Sequence, residues 1–362
     1  MLATLEGLQP ELLAGVFSRL DSNAQHMTVA LLSKSFHRWA LAQRGGERSF
    51  RPQLWLPLPS HAVQHEWRSR KLITNDLHWG AVLASAAGAG DEELVQWLRQ
   101  QGCPWDERAC ARAAGGGHLG LLQWLRSQHP PCPWDASICR HAAGGGHLDV
   151  VLWLRSQGCS WDPEVCAAAA ARGHLGVLQM LRSQEPPCPW DERACMRAAA
   201  GGHLALLQWL RSQQPPCPWD QRACSAAAGN GHLQTLQWAR SQVPPCPWDE
   251  DACAGAASND QLRVLQWARS QEPPCPWDEQ SCAGAVSGGC LEVLQWLRSQ
   301  VPPCPWDEDA CCVAAEHGDL DALQWLRDQI PPCPWDERVV ACARHHSHNE
   351  LLQWALVHGA PQ

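Results

Sequence analysis

One short motif, Cys-Pro-Trp-Asp, returns nine times along this chain, once with serine in place of proline. Its cysteines are Cys103, Cys132, Cys159, Cys188, Cys217, Cys246, Cys275, Cys304 and Cys333, spaced 29 residues apart except for a step of 27 between Cys132 and Cys159. A fixed period of this size is the signature of a stacked array, in which each unit buries its apolar face against the next one. Such an array builds a surface. It does not build a single pocket of unique residues, so a binding scaffold is expected and an enzyme is not.

The rest of the composition narrows the partners. A net charge of -9 argues against a nucleic-acid binder, whose footprint is ordinarily basic. No run of 18 apolar residues occurs, so no membrane span is expected. The opening residues carry Glu6 and Glu11 and lack the basic start of a secretory signal. Twenty cysteines without an export signal read as reduced thiols, placing the protein in the cytoplasm or nucleus.

One repeat, Trp105 to Gln128, shows the local logic. Asp106 suits a helix start, where its carboxylate accepts from unpaired backbone N–H groups, and Glu107 beside it suits the positive end of the dipole. The Ala-rich stretch Arg108 to Ala114 is a first helix, ended by Gly115, Gly116 and Gly117. A second helix is expected from His118 to Gln128, with Leu119, Leu122, Trp124 and Leu125 as its apolar stripe. Pro130-Pro131-Cys132-Pro133 then excludes further helix, since proline lacks the donor and restricts the residue before it. Small first helices alternating with bulky second ones bend the array and put the first helices on a concave side. A fully buried Trp removes roughly 150–250 Å² from water, about 4–6 kcal/mol as an upper bound, so the tryptophans are expected to supply the core.

The residues from Cys110 to Arg126, C-A-R-A-A-G-G-G-H-L-G-L-L-Q-W-L-R, resemble the ankyrin repeat. The resemblance places Cys110 at a core leucine, Ala113-Ala114 at the paired alanines, Gly117-His118-Leu119 at the family's G-H-L, and Trp124 and Leu125 at core leucines. It extends over 76–362 as about ten units, the first of them atypical. The segment Trp105 to Cys110 is about six residues shorter than in the family, so the protruding β-hairpin finger is expected to be absent. The fold class implied is all-α, an ankyrin-like helical solenoid.

Residues 1–45 are different. Leu8-Gln9-Pro10-Glu11-Leu12-Leu13, Val16-Phe17 and Leu20, followed by Leu31 to Trp39, are similar to the F-box. That resemblance implies that Leu8, Pro10, Leu12, Leu13, Val16 and Phe17 meet a ubiquitin-ligase adaptor, which makes the chain a substrate receptor of a cullin–RING ligase. The alternative is a helical cap on the first repeat, which solenoids need for solubility. Residues 46–75 read as an extended connector.

Two ladders look chemical. Cys-x6-Cys pairs followed by His118, His147, His174, His203 or His232 could form zinc sites. The histidine becomes Asp91, Gln261, Cys290 or Asp319 elsewhere while most Cys pairs persist, so packing of small buried thiols is the better reading, ahead of metal or disulfide. Arg126, Arg155, Arg182, Arg211, Arg240, Arg269, Arg298 and Arg327 could form a phosphate stripe; a solvated face exchanging ion pairs with neighbouring helix starts is preferred. His345, His346 and His348 read as a polar closing face. No catalytic, cofactor or metal residue is expected.

Binding is therefore assigned to the first helices, where residues vary between repeats: Glu107, Arg108, Arg112, Arg140, His141, Glu192, Arg193, Met196 and Arg197. The expected partner is a client protein on a monomeric array, with neither nucleic acid nor membrane.

Overall fold

The computed structural model of the protein describes residues 76–100 and 102–361. The F-box-like segment 1–45, with Leu8, Pro10, Leu12, Leu13, Val16 and Phe17, and the connector 46–75 lie outside the described residues. The described residues fall into two compact bodies, one ending at Trp161 and the other beginning at Asp162. Both are all-α repeat solenoids, and no strand occurs among the described residues. None of the described helices is long and apolar enough to cross a membrane.

The first body contains α1 (Asp76–Gly88), α2 (Glu92–Gln100), α3 (Glu107–Gly115), α4 (Leu119–Ser127), α5 (Ile138–Gly145) and α6 (Leu148–Ser156). The second contains α7 (Pro163–Ala171), α8 (Leu175–Ser183), α9 (Glu192–Ala200), α10 (Leu204–Ser212), α11 (Gln221–Gly229), α12 (Leu233–Ser241), α13 (Glu250–Ser258), α14 (Leu262–Arg269), α15 (Glu279–Ser287), α16 (Leu291–Ser299), α17 (Glu308–His317), α18 (Leu320–Asp328), α19 (Glu337–His345) and α20 (Asn349–Val357). Odd numbers are the first helices of the repeats.

The motif aspartate starts the first helix as its chemistry requires. Asp106 sits in extended backbone and its carboxylate accepts from the Arg108 N–H at 3.0 Å. Asp162 accepts from Val165 N–H at 3.2 Å, with Pro163 in the first helical position, where no donor is needed. The turn to the second helix passes through a left-handed residue such as Gly117 at φ 76°, and a Cβ there would lie 2.3 Å from Nδ1 of His147 in the next repeat. Glycine is thus demanded twice over, by backbone and by neighbour.

Within each body, successive first helices pack against one another, and each second helix leans on its own first helix. Small residues make this approach possible: a Cβ on Gly255 would sit only 3.6 Å from the Gly229 Cα of the preceding first helix. Ala109, Cys110, Ala113 and Ala114 are fully buried, as are Leu122 and Leu125.

Three expectations change on contact with the structure. The buried stripe of α4 is Leu121, Leu122 and Leu125, with Leu119 and Trp124 at its margin. The motif tryptophans are half-buried; Trp105 meets Trp124 edge-on at 6.4 Å, and the same T-shaped pair recurs as Trp190 with Trp209 and Trp248 with Trp267. The core is aliphatic and sulfur-rich instead. The arginine ladder, expected to exchange ion pairs, stacks on tryptophan: Arg126 lies 4.1 Å over Trp134 and Arg240 lies 4.0 Å over Trp248. Each guanidinium also donates to the carbonyl of the motif cysteine, 2.7 Å from Arg126 to Cys132 O and 2.6 Å from Arg240 to Cys246 O. The planar fork of Arg serves both contacts at once, which no exposed carboxylate offers.

The histidine ladder also has a mechanical use. His118 Nε2 donates to Gly88 O at 3.1 Å, His147 to Gly115 O at 3.1 Å, His203 to Ala171 O at 3.2 Å, His232 to Ala200 O at 3.0 Å and His348 to Glu316 O at 3.0 Å. Each acceptor is a carbonyl left over at the end of the preceding first helix, so the imidazole clamps consecutive repeats together.

Candidate protein-binding face

The first helices bury their Ala and Cys positions and turn the remaining residues outward. In the first body Glu107, Arg108, Arg112 and His141 are exposed and Arg140 is half-buried. In the second, Arg197 is exposed, and Glu192, Arg193 and Met196 are half-buried. The expected residues therefore share one face within each body, but they are not equivalent.

Four arginines at helix starts are already engaged. Arg108 holds Asp106 at 2.6 Å. Arg193 pairs with Asp191 at 2.6 Å and reaches Glu164 of the preceding repeat. Arg222 meets Glu192 at 3.0 Å, and Arg338 meets Asp309 at 2.7 Å. These pairs are largely exposed and individually weak, but those to Glu164, Glu192 and Asp309 link neighbouring first helices. By contrast the side chains of Arg112 and Arg197 have no hydrogen-bond or ion-pair partner among the described residues. Although its side chain reaches solvent, His141 is held below the ordinary imidazole range by partial desolvation of its ring and by the guanidiniums of Arg112 and Arg140. Its neutral form is thus favoured beside two positive charges, with Asp135 opposing the shift.

A feature not anticipated from the sequence lies in the second body. The starts of α13, α15 and α17 bring Asp249, Glu250, Asp251, Asp278, Glu279, Asp307, Glu308 and Asp309 into one acidic run with no basic residue among them. Burial, reinforced by the neighbouring carboxylates, holds Asp249, Asp278 and Asp307 above the usual carboxylate range. Aligning the two residues that follow each Cys-Pro-Trp-Asp motif would have revealed it. Beside its end, α15, α17 and α19 leave a hollow of about 340 Å³, with Ala283, Val313 and Ala341 among its apolar lining and Asp309, Glu316 and Arg338 carrying its charge. A larger open groove of about 690 Å³ runs along the turns, past His232, Asp260, Gln261, Arg263 and Glu292. His232 makes its clamp on one side of the groove, whereas Gln261 in the next repeat turns its amide onto Asn259 O instead.

The Pro-Pro loops form a second outward edge. Val243, Val301 and Ile330 are 97–98% exposed, with the other repeats placing His129, Glu185, Gln214 or Glu272 at this position.

No family model matches the chain, and no curated protein matches it. Among solved structures it is similar to the pentatricopeptide repeat protein PPR10 from maize, at 12% identity and a TM-score of 0.31 over 83% of this chain. The chain spans about half of that protein, 52%.

Proposed function

We propose that this chain is a non-catalytic scaffold that binds a client protein on its first-helix face. The observation that carries the reading is where the repeats differ. Their buried positions are nearly invariant from one repeat to the next, whereas Arg112, His141, Met196 and Arg197 change on a face that is open and charged. A protein partner fits better than nucleic acid, because the acidic run of the second body would repel phosphates. The ankyrin resemblance is supported by the burial of Cys110, Ala113, Ala114 and Leu125, four positions where it puts core residues. Such a scaffold needs no cofactor and works as a monomer in the cytoplasm or nucleus.

The test is affinity capture with the full chain carrying Arg112→Glu, His141→Glu and Arg197→Glu together, residues without ion pairs to break. Client capture should be lost while circular dichroism is unchanged. If instead only second-helix changes such as Glu292→Lys or Asp321→Lys removed the client, the assignment would fail.

A finer version rests on the F-box resemblance of residues 5–42: the array would then hold the client of a cullin–RING ligase whose adaptor docks on Leu8, Pro10, Leu12, Leu13, Val16 and Phe17. Deleting 1–45 should abolish adaptor co-precipitation and leave 46–362 folded. Aggregation of the truncated chain, together with no adaptor capture by the full one, would identify the segment as a cap.

A further inference from the structure

The cysteine ladder has one irregular rung. In the regular repeats, the first-helix cysteine and the next motif cysteine are 22 residues apart, as in Cys110 and Cys132 or Cys195 and Cys217. There the helix thiol points at the motif cysteine's carbonyl, 3.8 Å away in both pairs. The motif thiol meanwhile donates to the aspartate carbonyl of the preceding repeat, as from Cys132 to Asp106 O at 3.5 Å and from Cys217 to Asp191 O at 3.4 Å. Both thiols are thereby occupied and buried.

Between Cys139 and Cys159 the spacing falls to 20, because Gln157-Gly158 replaces the longer Pro-Pro loop. Cys159 is the one half-exposed motif cysteine, where the other eight are buried. Its thiol no longer points at the preceding aspartate carbonyl; its carbonyl contact is with Ser160 O at 3.9 Å. Arg155 has slackened with it, 3.5 Å from Cys159 O and 4.5 Å over Trp161. The sulfurs of Cys139 and Cys159 meet at 2.7 Å, well inside the roughly 3.5–4.0 Å at which even carbon atoms rest against each other. Cys103 has the same short loop but stays buried, and 20 residues before it stands Leu83, not a second thiol.

We propose that Cys139 and Cys159 are a peroxide-sensitive dithiol site, in which Cys159 is oxidised first and Cys139 closes the disulfide. The Cys159 thiolate attacks a peroxide oxygen and the O–O bond breaks, giving a sulfenic acid and hydroxide, which takes up a proton to become water. The Cys139 thiol, losing its proton, then attacks the Cys159 sulfur; the S–O bond breaks and a second water leaves. Two thiols and one hydrogen peroxide thus become one disulfide and two waters. Closure brings the sulfurs from 2.7 Å to about 2.05 Å, a small movement for a loop freed of its prolines. The Cys139 hydrogen bond, aided by Arg155, draws the Cys159 thiol below its ordinary range against burial and the Asp135 charge, favouring the reactive thiolate.

The test treats the reduced full chain with hydrogen peroxide, blocks remaining thiols by alkylation and maps the peptides by tandem mass spectrometry. A cross-link between Cys139 and Cys159, two hydrogens lighter than the reduced pair, should appear before any other cysteine is oxidised. Without peroxide, Cys159 should alkylate about tenfold faster than the buried motif cysteines. In Cys139→Ala, dimedone should trap Cys159 as a stable sulfenic acid. Earlier oxidation at Cys342, the other half-exposed cysteine, or a sulfenic acid at Cys159 persisting in the unaltered chain without a cross-link, would overturn the proposal. Both readouts are made on the native chain, so they do not depend on the variant's folding.

Discussion

The histidine clamp gives the sharpest stability prediction. His232 reaches back from the head of α12 to the last carbonyl of α9, Ala200 O, at 3.0 Å. Its ring fills the space beside Gly202, where a Cβ would lie 2.5 Å from Nδ1. Replacing it by Phe keeps a ring and removes the donor, leaving a part-buried carbonyl with no partner. That costs about 1–3 kcal/mol when water is excluded, and the open turn places the expectation near 1 kcal/mol. Ala removes donor and ring together and adds roughly another 1 kcal/mol of lost apolar contact. The predicted order of stability is wild type, Phe, Ala, measured by urea denaturation of the full chain followed by circular dichroism. Repeat arrays need not unfold in one step. Amide exchange at residues 200–204 should therefore rise in the same order. A Phe variant as stable as wild type would refute the hydrogen bond as the working part. The converse change is available in the same molecule. Gln261 turns its amide onto Asn259 O within its own turn, so Gln261→His should add a clamp and stabilise by about 0.5–1.5 kcal/mol.

Three further outcomes are expected. Cys195→Ser should cost about 1–3 kcal/mol, because its hydroxyl would be fully buried and Cys217 O is 3.8 Å from the present sulfur; Cys195→Ala should cost less, and thermal melts showing the reverse would refute this. Arg240→Lys should cost about 0.5–1.5 kcal/mol and shift the tryptophan emission, since an ammonium cannot both stack on Trp248 and hold Cys246 O; unchanged stability and spectrum would refute it. Asp278 has a folded-state value raised by burial and by Glu279, so its contribution is fully present below the unfolded carboxylate range and is lost as pH rises through the folded value. Asp278→Asn should therefore stabilise the protein near about pH 7, with the gain fading toward about pH 4, and a gain independent of pH would contradict it.

Much of the fold was legible because its determinants are local. Asp106, Gly117 and Pro130 each act within a few residues, and a 29-residue period repeats the result. What could not be read was which apolar residue the stack covers. Periodicity assigns Leu122, Trp124 and Leu125 to one broad stripe. Only the approach of the neighbouring first helix decides that Leu121 and Leu122 go under while Trp124 stays at the edge against Trp105. The arginine ladder was misread for a related reason. Arg126 and Trp134 are eight residues apart across a proline loop, and their stacking depends on how that loop folds back.

The candidate face was legible only in part, because variation between repeats has two sources. Arg193 pairs with Glu164, Arg222 with Glu192 and Arg338 with Asp309, each charge answered one repeat away. Variation at Glu192 and Arg193 is therefore partly internal, a matter of matching neighbours along the stack. Arg108 is likewise answered by its own Asp106. Among the described residues no such answer exists for Arg112 or Arg197, whose side chains are exposed. The Arg112 stem lies against Gly88 of the preceding first helix, but neither guanidinium adds an ion pair to the stack, so these two charges can be reversed to test the proposed face without breaking one. Breaking Arg193 from Glu164 should accordingly lower stability and client binding together, while Arg197→Glu should lower binding alone. If the two variants lost binding only in proportion to their lost stability, the first-helix face would be reduced to scaffolding.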